Sequence, residues 1–318
     1  MSKLLLRIAR SCGLFSLART ATAGMARILM YHNFSASGSD EPGSLSVGGI
    51  RTQFEHLRRH YEVVSLQYLA EQACSRRKLQ PRMVALTIDD GRRNCYEFLF
   101  PLLKEFQFPA TFFVVTSFIE GQDWIWTDKV LWLSEQPGAP EELAQSYIEA
   151  TFRSLNRMKP EERDGRIEAI AKNTGVQIPR LGPAKYAPCS WSELREMADC
   201  GLVDIGSHTA THPILSSVSD EESLKELTQS RALIEERIGK PVSCFCFPNG
   251  MPGDFRPSQV RQVEQAGYKC SVVAQFGMVK VGSDPYQLPR IGAGSKARSL
   301  EFSKYVDGLA YFQRKLDF

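Results

Sequence analysis

The sequence lacks the features that would place it in several special classes. Its eight cysteines contain no Cys-x-x-Cys pair and are too sparse for a disulfide scaffold, so we expect all of them to be reduced, in a reducing compartment. No apolar run approaches the roughly 18 residues of a membrane-spanning helix. A formal net charge of +3 is too small to indicate a nucleic-acid partner. The composition that remains is that of an ordinary globular protein.

Acidic residues are absent from the start of the chain, where the first is Asp40. Arg7 and Arg10 interrupt the apolar stretch that a secretory signal needs, so we interpret residues 1–24 as a basic N-terminal segment of a cytoplasmic protein. Two interpretations of this segment are open: contact with an anionic membrane surface, or a terminus without fixed structure. Ala21-Thr22-Ala23 resembles a cleavage site and makes export the alternative, and a mitochondrial transit peptide has a similar composition.

Short apolar runs alternate with helical patterns along most of the 318 residues, which favours one α/β domain with a parallel sheet, open or closed. We count about eight candidate strands and assign residues 25–318 to this domain. The alternation stops between about residues 118 and 187, where charged helix-forming segments and prolines predict a helical insertion on one rim. A single helix around Leu300 to Lys315 is expected to end the fold.

Two adjacent carboxylates end one of the candidate strands. The apolar run that begins at Val84 stops at Asp89 and Asp90, and both side chains can reach one pocket where a strand ends. Like charges this close repel each other unless a cation or a shared proton relieves them. The pair therefore indicates a metal site, whereas a lone Asp-Asp-Gly is most often a turn.

A pair of histidines follows another strand-like run, Leu202 to Gly206. His208 and His212 are four residues apart, so on a helical turn they lie on one face and can share one ion. One carboxylate and two imidazoles leave a divalent ion with open positions for water and substrate. Each motif alone is common, but both at strand ends of one α/β domain indicate a catalytic metal site.

Three motifs, in this order, resemble those of the polysaccharide deacetylases, the NodB-homology proteins of carbohydrate esterase family 4. They are Thr87–Gly91, His208–His212 and Cys244–Gly250, and the resemblance extends from about Arg27 to Ile291. It implies a distorted (β/α) barrel of seven to eight parallel strands and a metal-dependent N-deacetylase of N-acetylated sugars. The tryptophans of the insertion would then either stack on a sugar or lipid-linked substrate, or pack the insertion's own core.

The resemblance also implies roles for the site residues. Asp90, His208 and His212 would bind the metal, and Asp89 would be the general base that takes a proton from water. Zinc suits two imidazoles and one carboxylate, while cobalt or nickel can substitute for it. Because a bound ion lowers the pKa of water toward neutrality, a carboxylate kept off the metal can accept the proton.

The third motif implies that the backbone N–H of Asn249 donates to the acyl oxygen, which becomes negative during attack. The arginine that the family carries in this motif is missing, and its place falls near Cys246. Arg290, at the end of the last candidate strand, is our candidate replacement for the residue that orients Asp89.

The final motif lacks the family's usual acid histidine. Met30-Tyr31-His32 resembles the start of a circularly permuted branch, in which the last strand has moved to the front. We therefore expect His32 to protonate the leaving amine, and the alternative is a structural histidine that bonds to loop backbone. His56 and His60 lie on a helix that we expect to be exposed.

These expectations define a main function and two alternatives. The main function is removal of N-acetyl groups from an amino sugar, in a lipid- or nucleotide-linked precursor if the chain stays inside the cell and in a polysaccharide if it is exported. One alternative is a deformylase of a lipid-linked amino sugar, which needs the same site with less room for the acyl methyl group. The other is a non-catalytic sugar-binding protein, suggested by the missing arginine, although a binder would not need Asp89 beside the metal.

Overall fold

The computed structural model describes residues 3–37, 44–75, 78–294 and 299–316. Ten strands occur in this part of the chain: β1 (Arg27–Tyr31), β2 (Phe34–Ser35), β3 (Leu45–Ser46), β4 (Glu62–Val63), β5 (Met83–Ile88), β6 (Ala110–Val114), β7 (Val203–Ser207), β8 (Cys244–Cys246), β9 (Cys270–Phe276) and β10 (Leu288–Gly292).

The same residues contain fourteen α-helices: α1 (Lys3–Ser11), α2 (Leu14–Ala21), α3 (Val47–His60), α4 (Leu66–Cys74), α5 (Phe100–Phe106), α6 (Thr116–Ile119), α7 (Trp126–Ser134), α8 (Ile148–Leu155), α9 (Pro160–Asn173), α10 (Trp191–Asp199), α11 (Asp220–Ile238), α12 (Pro257–Gln265), α13 (Ser299–Val306) and α14 (Leu309–Leu316). A π-helical turn, Cys95–Leu99, precedes α5.

Seven strands form a closed barrel in the order β1, β10, β9, β8, β7, β6 and β5, because β1 pairs with both β10 and β5. Every pairing in the barrel is parallel. β4 adds to the first residues of β5, and β2 pairs with β3. The predicted barrel of seven to eight parallel strands is confirmed.

Side chains along each strand alternate between the inside of the barrel and the helices outside it. On β5 the outward series packs under the helices (Val84, Leu86, Ile88), and the inward series belongs to a second, inner cluster (Met83, Ala85). Asp89 continues the inward series two residues after Thr87. Cys246 on β8 comes two residues after the inward Cys244, and Arg290 on β10 comes two residues after the inward Leu288. The three side chains therefore meet inside one end of the barrel.

Two of the predicted helices show how local signals set helix ends. α11 spans the predicted Asp220–Ile238, with Ser219 and Glu222 forming a capping box and Gly239 (φ 74°) ending the helix. The prediction of a single C-terminal helix is wrong, because Gly308 (φ 93°) lies in a turn that separates α13 from α14. A Cβ atom at Gly308 would lie 2.8 Å from Oγ1 of Thr22, the residue after α2, so this close approach and the positive φ favour glycine here.

The region between β6 and β7 contains α7, α8 and α9, which have an apolar cluster of their own. Trp124 and Trp126 are buried and pack against neighbouring side chains of this region, including Tyr186 and Phe152. The tryptophans therefore build the insertion's core. Among the described residues, we find no helix with the length and apolar character needed to cross a membrane.

Candidate active site

The candidate residues lie at the carboxyl ends of several barrel strands, which a parallel barrel brings to one rim. Asp89 and Asp90 follow β5, His208 follows β7, and Asn249 comes shortly after β8. Four of the six non-glycine residues with positive φ in the described chain lie here: Asp90 (78°), Thr209 (71°), His212 (59°) and Asn249 (57°). Such conformations cost about 1–3 kcal/mol each, and their concentration at one rim points to a functional constraint.

Asp90, His208 and His212 converge on one point. Asp90 Oδ1 lies 3.7 Å from His208 Nε2 and 3.9 Å from His212 Nε2, and all three residues are buried. Two ligand atoms that are each about 2.1 Å from a zinc ion can be at most about 4.2 Å apart. Both distances are compatible with one shared ion, and the ligand atoms of the three residues all lie within 4.8 Å of one another.

Both imidazoles are held in the neutral form that binds metal. His208 Nδ1 donates to the carbonyl of Cys246 (2.8 Å), which leaves Nε2 to act as a ligand. Burial lowers the pKa of His208 and lowers the pKa of His212 to about 3. His212 Nδ1 has no hydrogen-bond partner among the described residues, so no hydrogen bond at this nitrogen fixes the orientation of the ring beside Asp90.

The predicted helical turn for the two histidines is wrong. After β7 the chain bends through Thr209 and His212, whose backbones are left-handed. Glu226 on α11 stabilises the bend, since its carboxylate accepts hydrogen bonds from the backbone N–H groups of Ala210 (2.7 Å) and Thr211 (2.9 Å). The imidazole rings still reach a centroid distance of 4.8 Å, through a loop stabilised by a distant helix.

Asp89 is held apart from the three-residue group by Arg290. Arg290 Nη1 donates to Asp89 Oδ1 (2.7 Å) and Nη2 donates to Oδ2 (2.8 Å), and both side chains are buried. Burial acts to raise the pKa of Asp89, but the charges of Arg290 and His32 outweigh it and lower the pKa below its usual value. Asp89 is therefore an ionised carboxylate with a fixed orientation.

His32 lies just past β1, with Nε2 3.5 Å from Asp89 Oδ2 and 44% of its side chain exposed. It stands between the buried acid and the solvent, and its predicted role as the proton donor remains a prediction. His56 does not have the predicted exposure: its ring is 16% exposed and Nε2 lies 3.0 Å from Asp307 Oδ1. His56 belongs to a structural network at the other end of the barrel.

The family model for polysaccharide deacetylases matches residues 76–271, which is more than half of the chain. The chain belongs to the polysaccharide deacetylase family. This confirms the resemblance predicted from the three motifs. Enzymes of this family are hydrolases that act on the carbon–nitrogen bonds of N-acetylated sugars.

Individual relatives are distant. Poly-β-1,6-N-acetyl-D-glucosamine N-deacetylase of Escherichia coli K12 is 32% identical over 94 residues, which are 29% of this chain and only 14% of that protein. Among solved structures, IcaB from Ammonifex degensii has a TM-score of 0.62 at 18% identity, over 89% of this chain and 97% of that one. The Streptococcus pyogenes deacetylase PplD, in complex with acetate, has a TM-score of 0.58 at 16% identity, over 84% and 92%. These structures share the fold.

This member of the family has Cys246 where the family motif leads us to expect an arginine. Its thiol is buried, 3.1 Å from Arg290 Nη2, and burial raises its pKa well above the usual value. Cys246, Asp89 and His208 are also close enough to form a second ligand group. However, Asp89 is already paired with Arg290 and the thiol is protonated, so the group that contains Asp90 fits a metal better.

Arg92, directly after the Asp-Asp-Gly motif, was not identified from the sequence. Its Nε and Nη2 donate to Asp90 Oδ2 (3.1 and 3.0 Å), and Nη1 donates to Asp128 on α7. Asp90 is therefore fixed with its other oxygen toward the imidazoles. Burial acts to raise the pKa of Asp90, but Arg92 and the histidines lower it far below its usual value. Burial raises the pKa of Asp128 to about 6.

We expect Arg92→Gln to lower the free energy of unfolding of the metal-free protein by about 3–5 kcal/mol, because it leaves two buried carboxylates without their shared cation. Urea unfolding in the presence of a chelator measures this. Arg93→Gln is the matched control, since the neighbouring Arg93 is 53% exposed and its ion pairs should contribute about 1 kcal/mol or less. Equal stability of the two variants would show that the buried ion pairs do not matter.

Asn249 is exposed on the loop after β8. Asp254 accepts hydrogen bonds from the Asn249 side chain and from the backbone N–H of Met251 (2.8 Å). Gly250 (φ 64°) lies so close to the next strand that a Cβ atom would be 2.9 Å from the backbone nitrogen of Ala274. The backbone of Asn249 is therefore held in a defined position on the active-site rim, and its predicted role as a donor remains a prediction.

A cavity of about 320 Å³ lies between this rim and the insertion. Its lining includes His212 and Thr211 from the rim, and Trp126, Arg163 and Asp164 from the insertion. Because a candidate metal ligand lines it, the cavity provides space for a ligand directly beside the site.

Proposed function

We propose that this chain is a metal-dependent hydrolase that removes acetyl groups from the nitrogen of an amino sugar in a glycan or glycan precursor. The observation that carries the proposal is the ionised Asp89, which Arg290 fixes beside the ligand group without making it part of that group. A protein that only bound sugar would not need to maintain a buried acid with this arrangement. Membership in the polysaccharide deacetylase family supports the same reaction.

Asp90, His208 and His212 are the residues that would hold a divalent ion, and their ligand atoms suit zinc best. When bound, the ion would supply Lewis-acid chemistry by lowering the pKa of water and polarising an acyl oxygen.

The protein's own acid and base then divide the proton transfers between them. Asp89 accepts a proton from the attacking water, and Arg290 keeps the carboxylate ionised and oriented. The backbone N–H of Asn249 donates to the acyl oxygen as negative charge develops on it. His32, at the exposed side, donates a proton to the leaving nitrogen, so that the products are acetate and a free amine.

The cavity beside His212 supports a sugar ring as the group that is bound. Arg163 and Asp164 line the cavity with hydrogen-bonding groups suited to hydroxyls, and the buried Trp126 contributes an apolar part of its lining. The name of the Escherichia coli relative supports an N-acetylglucosamine unit. A polymer and a lipid-linked precursor both present such a unit.

An acetate-release screen tests the proposal. The purified protein, loaded with zinc, is incubated with N-acetylglucosamine oligomers in β-1,4 and β-1,6 linkage, with lipid-linked and nucleotide-linked N-acetyl sugars, and with N-formyl analogues. We expect acetate release that a chelator abolishes and added zinc restores. Formate release alone would indicate a deformylase. Stoichiometric zinc without turnover of any acylated sugar would indicate a sugar-binding protein.

We expect His32→Ala to slow turnover by about 10²–10⁴-fold with zinc retained, because the leaving nitrogen loses its proton donor. Acetate release and zinc content, measured on the same preparation, check this. His60→Ala is the control, since His60 lies on α3 and is not part of the site. Normal kinetics of His32→Ala would favour a structural role for this histidine.

A further inference from the structure

The N-terminal segment carries an apolar surface that the fold leaves open. Leu4, Leu5 and Ile8 on α1 are 66%, 52% and 50% exposed, and Leu14 and Leu17 on α2 are 44% and 65% exposed. These five residues are half of the large apolar side chains that are exposed in the described chain. We call them the N-terminal apolar surface. A concentration of this kind marks an interaction site rather than random surface variation.

The helices that present this surface are packed onto the barrel domain. Leu6 and Ala9 of α1 form a buried cluster with Phe15 of α2, and Leu309 of α14 packs against it. Arg19 Nη1 pairs with the buried Asp307 Oδ1 at 3.1 Å. The exposed leucines are thus held outward on a fixed support.

The end of the segment is bonded to the start of the barrel. Arg27 Nη1, at the start of β1, donates to the Thr22 carbonyl (2.9 Å), and the N–H of Arg82 donates to the Ala23 carbonyl (2.9 Å). Thr22 is fully buried. Of the two open interpretations, a terminus without fixed structure does not fit these contacts.

The charge around the surface indicates its partner. Arg7 and Arg10 are exposed on α1, and the first 39 residues contain no acid. A second copy of the chain would bring the same cationic face against this one, and like charges facing each other disfavour such a contact. A bilayer with anionic headgroups offers both an apolar interior for leucines and negative charge for arginines.

We propose that α1 and α2 dock this protein onto an anionic membrane surface through the N-terminal apolar surface. The segment joins β1 at its first residue, whereas the candidate active site lies at the carboxyl ends of the strands. Docking therefore leaves the active site accessible. The inference does not depend on the proposed deacetylase function.

Vesicle co-sedimentation of the full chain tests the proposal. We expect binding to vesicles of phosphatidylcholine mixed with phosphatidylglycerol, weak or no binding to phosphatidylcholine alone, and a loss of binding as salt is raised. The triple variant Leu4→Ser/Ile8→Ser/Leu17→Ser and the double variant Arg7→Glu/Arg10→Glu should each bind at least about tenfold more weakly.

Two control variants distinguish a loss of the N-terminal apolar surface from a general change in exposed apolar side chains or net charge. Leu181→Ser/Met251→Ser removes exposed apolar side chains elsewhere, and Arg153→Glu/Arg157→Glu makes the same change in net charge on the insertion. Both should bind like the unchanged protein. Equal binding by all variants, equal binding to neutral vesicles, or self-association that the triple variant abolishes without any vesicle binding would each overturn the proposal.

Acetate release from soluble oligomers provides the independent readout. We expect the triple variant to retain the activity of the unchanged protein on these substrates, because none of its three positions is near the site. If the protein shows no deacetylase activity but still binds anionic vesicles through these residues, the membrane proposal stands alone.

Discussion

Asp89→Asn is expected to lower the rate of acetate release by at least about a hundredfold, because an amide cannot take a proton from water. The variant should keep its fold and zinc, with a lower free energy of unfolding because the buried Arg290 loses its charged partner. The new side-chain oxygen can still accept a hydrogen bond from Arg290, which also donates to the Val273 carbonyl (3.2 Å) and the Thr87 hydroxyl (3.1 Å). Turnover under saturating substrate, with zinc content measured on the same sample, tests this.

Asp204→Asn is the matched control for this experiment. Asp204 is an exposed aspartate on β7, so the same substitution is made in the same barrel away from the candidate site. Asp90→Asn is the contrasting variant, because it should lose zinc first and activity as a consequence. An unchanged rate for Asp89→Asn, with the fold intact, would remove Asp89 from the mechanism.

His208→Ala is expected to abolish stoichiometric zinc binding. Loss of a residue that hydrogen-bonds to a metal ligand typically weakens metal binding about 10- to 100-fold. Loss of one of the three protein ligands themselves should weaken zinc binding by more than about a hundredfold. Dialysis against buffer with limiting zinc, followed by metal analysis, measures the effect. His60→Ala on α3 should retain the zinc of the unchanged protein.

The two possible ligand groups make different predictions for two further variants. If Asp90, His208 and His212 hold the ion, His212→Ala loses zinc and Cys246→Ser keeps it. If Asp89, His208 and Cys246 hold it, the outcomes are reversed. A His208→Ala variant that still held stoichiometric zinc would contradict both groups.

Much of the barrel could be predicted because its signals are local. Strand runs, Gly239 as a helix end and the capping residues of α11 act through neighbours in the chain, so α11 was predicted with the correct ends. The prediction of a helical turn at His208–His212 is wrong because the interaction that bends the chain comes from a residue outside this stretch. Glu226 lies on the next helix and bonds to the bend from there, and nothing in the spacing of the histidines signals this.

The sequence by itself determined which side chains end the strands of the barrel and on which side they lie. Strand residues alternate with a period of two, so Asp89, Cys246 and Arg290 share the inner side once their strands are recognised. Only the tertiary structure decided which charged residues pair. Arg290 binds Asp89 from 201 residues away, and Asp128 of the insertion binds Arg92, the arginine that also binds Asp90. The reason is physical, since the alternation of a strand is a property of its own backbone, whereas the pairing of buried charges depends on which strand ends the closed barrel brings together.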